Sequence, residues 1–503
     1  MKSSLTALLA VVLAAWPVSS PAQGPESSGP LTSKVKTEQI IARLEKRVPQ
    51  LMKEADVPGM SVALLRDGEM VWRHGFGVRN AKTGEPVTDS TVFEAASLSK
   101  PVFAYAVLKL VDAGKFNLDK PLSQYLPGNY EVGDDPRLKQ ITARHVLSHT
   151  PGFPNWRPRG GALKIHFTPG ERFSYSGEGF VYLSKVIEHV TGEKFNDFMK
   201  RTVFEPLAMT SSSYAWQESY DTQKTFRHNS IGQPIDLNRM DPGLVNAAAS
   251  LHTTANDYGR FVSAVLKGMG LKRETLKLML TPQANVRSSG ASSINNPEAK
   301  IVPDVAWGLG WGLQTTSDGL SFWHWGDNGD SKAYIVAYPV QKMGVVFFSN
   351  SAGGLSIARE IVEEAIGGNH PALAWINYET YNSPRRRLLK EILAKGAETA
   401  LKEYREWRKG RASEELIGEG PMNGLGYQLL YPLKRVKDAI EVFKLNVEDY
   451  PDSFNVYDSL GEAYAVNGDR ELAIKNYERS IELNPKNTGG IEALKKLREA
   501  KQD

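Results

Sequence analysis

The sequence predicts an α+β domain over about residues 36–368, followed by a helical stretch and then an all-α repeat domain at 421–503. Three observations lead there. Strand-forming runs stand at both ends of the first segment, helical periodicity fills its middle, and a fixed period of 34 residues (473−439) appears near the end of the chain. A chain of 503 residues also divides most naturally into two or three domains.

The N-terminus reads as a signal peptide. Lys2 precedes the apolar run Ala7 to Trp16, and "PVSSPAQG" follows, a small-residue cleavage site that places the cut after Ala22. The apolar run is too short to cross a bilayer, which takes ~20 residues. No cysteine stands at the cleavage site, so bacterial lipidation is unavailable. A soluble protein exported to the periplasm or beyond is expected. Residues 23–35, rich in Gly, Pro and Ser, read as a linker.

Residues 36–55 carry the periodicity of an amphipathic helix. "MSVALLRDGEMVWRHGFG" (60–77) reads as a hairpin turning at Asp67-Gly68. From about 93 to 270 helical segments alternate with Pro- and Gly-rich loops. Strands return between about 301 and 350, with a turn at Asp318-Gly319 and two further β-rich runs in "AYIVAYPVQKMGVVFFSN". Strands at both ends imply one sheet closed by the two ends of the domain.

Beyond 368 the sequence becomes charged and helical. Residues 369–420 read as a helical linker in which Ala400 and Tyr404 suggest a worn repeat. Ala439, Phe443 and Pro451 then recur as Ala473, Tyr477 and Pro485. "YDSLGEAY" adds Tyr457, Leu460, Gly461 and Tyr464, and "LGYQLL" (425–430) is a partial match one residue out of register. This pattern resembles the tetratricopeptide repeat. Its residues are small where helices cross and aromatic where they interlock, so they pack and carry no chemistry. The resemblance implies either a groove for a protein or peptide partner in 421–503, or a structural docking surface.

Composition excludes several functions. The 61 basic and 57 acidic side chains leave a net charge of +4, too even for a grip on nucleic acid. Arg385-Arg386-Arg387 is the one dense basic run and reads as a solvated helix face. The absence of cysteine removes disulfides, thiol catalysis and cysteine metal sites.

The chemistry centres on "FEAASLSKPVFAYAVLKLVDAG" (93–114), where Ser97 stands three residues before Lys100. The same spacing occurs at Ser33 and Lys36, but in the linker, where nothing would desolvate the lysine. At Ser97 the setting differs. Residues three apart share a helix face, Pro101 fixes a helix start close by, and the apolar run after it would bury the helix. A serine in the first turn feels the positive end of the helix dipole, and a buried lysine releases its proton more readily. A capping serine beside a surface lysine is the competing reading of these residues.

Two further stretches complete a pattern. "FTPGERFSYSGEGF" puts Tyr175-Ser176-Gly177 in a loop before a helix, and "FWHWGDNGD" puts His324-Trp325-Gly326 at a strand end. Ser97-x-x-Lys100, Tyr175 and H-x-G in this order resemble the serine β-lactamase and penicillin-binding protein family, closest to its class C-like branch of esterases and D-amino-acid peptidases. "HVLSHTPGF" (145–153) and "SLHTTANDYGRF" (250–261) resemble family segments as well. The resemblance implies a β-lactamase/transpeptidase-like fold and acyl transfer without cofactor or metal. Ser97 would be the nucleophile, with Lys100 and Tyr175 moving its proton. His324, Gly326 and Asp327 would form the substrate and oxyanion side, with backbone N–H groups of Ser97 and Asp327 as the oxyanion donors.

Departures from the family pattern bear on substrate. Its second motif is usually Y-x-N, whose asparagine donates to the carbonyl of an acylamino substrate; here Gly177 occupies that place. His324 stands where many relatives carry the lysine of K-T-G. Small esters or D-amino-acid peptides are therefore expected ahead of β-lactams. The rival expectation is a catalytically weak scaffold or sensor that recruits partners through its repeats. His145-x-x-x-His149 has zinc-helix spacing, but Val146 stands where the zincin glutamate belongs, so packing is expected of both histidines. "SYSGEG" lacks the leading glycine of a G-x-S-x-G elbow, and "WGLGWGL" (307–313) reads as close-packed sheet, with the floor of a substrate cleft as the alternative.

Overall fold

The computed structural model describes residues 29–128, 130–235 and 245–499. The expected signal segment and its cleavage point lie outside these residues. Two compact units divide between Tyr381 and Asn382.

The first unit is built on an eight-stranded antiparallel sheet. In chain order its strands are β1 (Gly59–Arg66), β2 (Glu69–Gly77), then, after the short pair β3 (Phe93–Glu94) and β4 (His252–Thr253), β5 (Ala284–Arg287), β6 (Ile301–Trp307), β7 (Gly312–Thr316), β8 (Gly319–Asp327), β9 (Lys332–Tyr338) and β10 (Met343–Ser349). The spatial order is β2-β1-β10-β9-β8-β7-β6-β5. β1 pairs with β10 from Met60↔Ser349 to Leu65↔Gly344, so the two ends of the domain close one sheet as the strand runs imply. Asp67 and Gly68 both have positive φ, 52° and 78°, the turn that Asp-Gly favours in a two-residue hairpin.

Every residue of β1, β9 and β10 is buried, because both faces of the sheet are covered. Alternation assigns them. Ala333, Ile335, Ala337, Val346 and Phe348 face the core that contains α2 (Ser99–Asp112). Tyr334, Val336, Tyr338, Val345 and Phe347 face the opposite core, which α1 (Thr37–Glu54) enters through Ile40, Leu44, Val48 and Leu51. On the α2 side follow α3 (Ala143–Leu147), α4 (Gly177–Thr191) and the helix Ala255–Lys267.

Two expected boundaries shift. Residues 31–35, read as linker, are tied to the domain: Thr32 donates from N to the Ile366 carbonyl at 2.7 Å and from Oγ1 to that of Ala365 at 2.9 Å. The nearly buried Arg66 guanidinium finds its acceptors there, the carbonyls of Thr32, Ser33 and Val35. Ser33 and Lys36 are exposed, as the second Ser-x-x-Lys requires to be inert. At the other end the unit runs to Tyr381 instead of stopping at 368, because Trp375 packs among Phe173, Trp307, Trp323 and Trp325.

The second unit is helical. Its helix pairs include Glu419–Leu430 with Val436–Asp449 and Phe454–Asn467 with Arg470–Leu483. In each pair a glycine of the first helix lies beneath an aromatic ring of the second, Gly426 under Phe443 and Gly461 under Tyr477. Ala439 and Ala473 are fully buried where the helices cross. Among the described residues no helix is long and apolar enough to cross a membrane.

Candidate active site

Ser97 sits on a single 3₁₀ turn, Ala96–Leu98, that leads into α2 at Ser99, two residues later than the Ser-Lys spacing suggests. Ala96 is held at φ +48°, a conformation that side-chain-bearing residues adopt only at a cost. The surroundings over-determine it. Ala95 N–H donates to the Leu251 carbonyl (2.8 Å), the Tyr258 hydroxyl to the Leu98 carbonyl (3.0 Å) and the Tyr214 hydroxyl to the Ser99 carbonyl (2.6 Å). Ser99 Oγ donates to the Ala96 carbonyl and accepts from Leu251 N–H. Pro101 lies in the first turn of α2, where its missing N–H costs nothing. The result is a partly exposed serine on a fixed turn.

Lys100 is fully buried, with Nζ 3.0 Å from Ser97 Oγ and donating to the Ala248 carbonyl at 2.8 Å. It lies 4.7 Å above the centre of the Tyr175 ring and 5.7 Å from that of Phe180. Burial alone pushes its pKa well below the usual lysine range. A neutral amine with one N–H on Ala248 keeps a lone pair for the Ser97 proton. Burial raises the Tyr175 phenol far above its ordinary range. Its hydroxyl lies close enough to Ser97 to be influenced by it, yet makes no hydrogen bond of normal geometry. Tyr175 is thus a buried phenol that keeps its proton, and Lys100 a buried amine that gives its proton up readily, both beside Ser97.

The end of β8 forms the opposite wall. Its pairing with β7 stops at Gly312↔Trp323, whereas its pairing with β9 continues to Asp327↔Lys332. Residues 324–327 therefore have no β7 partner and present a strand edge. Gly326 makes the approach to Ser97 possible: a Cβ there would stand 2.5 Å from the Ala95 carbonyl and 3.3 Å from Ala96 Cβ. The Asp327 carboxylate is engaged by Lys332 Nζ, Gly329 N–H and the Tyr378 hydroxyl, which leaves its main chain as the part that can meet a substrate. His324 is fully buried, and its Nδ1–H donates to the Trp325 carbonyl at 2.7 Å.

A serine, a buried lysine of lowered pKa and a buried tyrosine beside a strand edge are the parts of an acyl-transfer site, and residues 44–365 match the Beta-lactamase family. The chain belongs to this family of serine hydrolases. It is 26% identical over 345 residues to penicillin-binding protein 4 of Amycolatopsis lactamdurans, covering 65% of this chain and 89% of that protein. It is 22% identical over 325 residues to protein flp of Staphylococcus aureus (strain N315), covering 61% of this chain and 62% of that protein. Two solved structures share the fold. The octameric penicillin-binding protein homologue from Pyrococcus abyssi gives a TM-score of 0.54 at 24% identity, covering 70% of this chain and 82% of its own. The D-alanine carboxypeptidase AmpC from Burkholderia cenocepacia gives 0.54 at 19% identity, covering 65% and 99%.

In this Beta-lactamase family member the site holds residues that sequence reasoning passed over. His149, expected to be packing, stacks on Tyr175 with ring centres 4.1 Å apart and planes at 26°. It does not share a helix with His145, because α3 ends at Leu147 and His149 turns away with φ +57°. His145 instead caps α3, its Nδ1 3.4 Å from Thr142 N. Trp307 of "WGLGWGL" lies against His149 (5.0 Å), Tyr175 (5.8 Å) and His324 (5.4 Å). Hydrogen bonding assigns both histidine tautomers. Ser176 N–H donates to His149 Nδ1 at 2.9 Å, so the proton of His149 is on Nε2; His324 donates from Nδ1, so its Nε2 bears a lone pair. Both stay neutral, His149 held well below its ordinary pKa and His324 pushed to about 3, chiefly by burial. The one sequence signal for His149 is its place in "HVLSHTPGF".

Proposed function

We propose that this chain is an exported serine hydrolase that forms an acyl-enzyme at Ser97 and acts on a small ester or D-amino-acid peptide in preference to a β-lactam. The observation that carries the reading is the 3.0 Å contact between Ser97 Oγ and a fully buried Lys100 held well below its normal pKa. The Ser97 proton moves to Lys100 Nζ as Oγ bonds to the carbonyl carbon. The oxyanion sits between the backbone N–H groups of Ser97 and Asp327, donors worth ~3 kcal/mol each in such sites. The bond to the leaving oxygen or nitrogen breaks, and that atom takes the proton from Lys100 through the Tyr175 hydroxyl. Water then attacks the acyl-enzyme, giving a proton back along the same path, and the acid departs from restored Ser97.

Gly177 and His324, in place of the family's asparagine and lysine, support the preference for small esters or D-amino-acid peptides over β-lactams. Export rests on the N-terminal 22 residues. For the helical unit, the paired glycine–aromatic contacts at Gly426/Phe443 and Gly461/Tyr477 support tetratricopeptide repeats able to take a peptide or protein partner. Intact-mass spectrometry after fluorophosphonate treatment tests the enzyme: one adduct on the parent and none on Ser97→Ala is expected. No adduct on a folded parent would overturn the mechanism.

A further inference from the structure

Gly177 has lost more than an asparagine. A Cβ built on it would stand 2.7 Å from Cη2 and 2.8 Å from Cζ2 of Trp156, and 2.9 Å from the Asn155 carbonyl. The indole already fills the volume where a side chain at 177 would begin. Ser176 is extended (φ −134°, ψ 112°), so positions 175 and 177 direct side chains to the same side of the chain. The Trp156 indole therefore occupies the start of the path along which a side chain at 177 would leave the α4 N-terminus.

Trp156 is 46% exposed, yet the backbone on both sides of it is pinned. The Pro154 carbonyl accepts from Ser176 Oγ at 3.0 Å. Asn155 accepts the Gly177 N–H at both Oδ1 and its carbonyl, each at 3.0 Å, and its carbonyl also takes Glu178 N–H at 3.1 Å. Arg157 clamps Glu178 with N–H, Nε and Nη2 at 3.0, 2.9 and 2.8 Å. Glu178 is itself nearly buried, and the Arg157 guanidinium holds its carboxyl below the usual range against the cost of burial. Pro154, Asn155 and Arg157 thus fix the backbone that carries an exposed indole against one helix start. A large, exposed aromatic on a pinned backbone, beside the helix start that follows Tyr175, is the form a recognition surface takes.

We infer that Trp156 is a specificity-determining residue: its indole replaces the polar amide at position 177 with an apolar wall that selects substrates bearing an aromatic or bulky apolar acyl group. The inference rests on Ser97 being the acylated residue. An acyl chain that would have offered a carbonyl to an asparagine instead meets a ring face, which rewards apolar area and offers no donor. Substrates with a polar acylamino group leave that group unpaired against the indole and are disfavoured.

The test compares parent, Trp156→Ala and Trp156→Phe with p-nitrophenyl phenylacetate and p-nitrophenyl acetate, which share a leaving group. The parent favours phenylacetate, and the ratio of kcat/KM values falls about tenfold in Trp156→Ala while Trp156→Phe keeps most of it. Labelling rates with phenylmethanesulfonyl and methanesulfonyl fluoride read the same ratio at the modification step alone, where slow deacylation cannot mask it. Fluorophosphonate labelling of each variant shows whether the site remains assembled. Labelling of Ser97 with a ratio that ignores Trp156 overturns this inference and leaves the serine mechanism standing. No labelling of the folded parent by any of these reagents removes the mechanism and the inference together.

Discussion

The imidazole of His149 lies almost flat on the phenol of Tyr175, 4.1 Å between ring centres, while its Nδ1 accepts the N–H of Ser176. One residue thereby holds both the ring and the backbone of the motif that faces Ser97. Its left-handed backbone (φ +57°) aims it there. His149→Ala strands a buried N–H and opens a gap under Tyr175, so a loss of about 2–4 kcal/mol in urea unfolding is expected. A fall in kcat of about 10- to 100-fold should accompany it as Tyr175 drifts. His149→Asn, which tolerates positive φ and offers an acceptor, should recover part of both. Unaltered kcat in His149→Ala would refute the positioning role.

The proposed mechanism needs Lys100 without its proton, and burial disfavours that same proton in the folded chain. Its pKa in the folded chain is depressed below the unfolded value. Between those two values the unfolded chain binds one more proton, so stability rises with pH, by up to about 1.4 kcal/mol per pH unit. Lys100→Met should remove that slope and be more stable than the parent, with the difference shrinking as pH approaches about 10. Urea midpoints across pH check this; parallel curves for the two chains would contradict it.

Activity should follow the same group. kcat/KM for an ester is expected to fall as pH drops through the depressed Lys100 pKa, because a protonated amine cannot take the Ser97 proton. His324, pushed to about 3, and the still-neutral His149 contribute no titration near neutrality. Lys100→Arg should lose roughly 10³-fold or more, since guanidinium does not deprotonate. An acid limb that moves in a His324→Gln chain would reassign the base.

Gly326 sets the distance between β8 and the nucleophile turn. In Gly326→Ala the added methyl meets the Ala95 carbonyl at 2.5 Å, and one of the two backbones has to give. A stability loss of about 1–3 kcal/mol and fluorophosphonate labelling slowed by roughly 100-fold are expected. Labelling at the parental rate would show that the strand edge is not part of the site.

Residues 369–381 belong to the catalytic unit. Trp375 donates from Nε1 to the Arg287 carbonyl at 2.9 Å, and the Tyr378 hydroxyl binds the Asp327 carboxylate. A chain ending after residue 381 should label at Ser97, and one ending after 368 should not. Equal labelling of both would return the boundary to 368.

What the sequence by itself determined is local chemistry. Ser97, Lys100 and Pro101 announce a polar pair at a helix start, because three-residue spacing and proline's missing donor act within one turn. Asp67-Gly68 and Asp318-Gly319 announce hairpins for the same reason: each turn is settled by its own dihedral preferences. The 34-residue period survives because identical packing needs recur along the chain.

Tertiary structure decided everything that depends on who meets whom. Trp156 and Tyr378 bear no mark in sequence that separates them from packing residues, and His149 and Trp307 bear only their places in "HVLSHTPGF" and "WGLGWGL". They join the site because β6, β8, the loop before α4 and the segment after the helix Ala358–Ala365 converge on one turn, and only that convergence buries Lys100. The lysine's lowered pKa is the clearest case. Desolvation comes from atoms brought together across the fold, so the residue type is written in the chain but its protonation state is written in the packing.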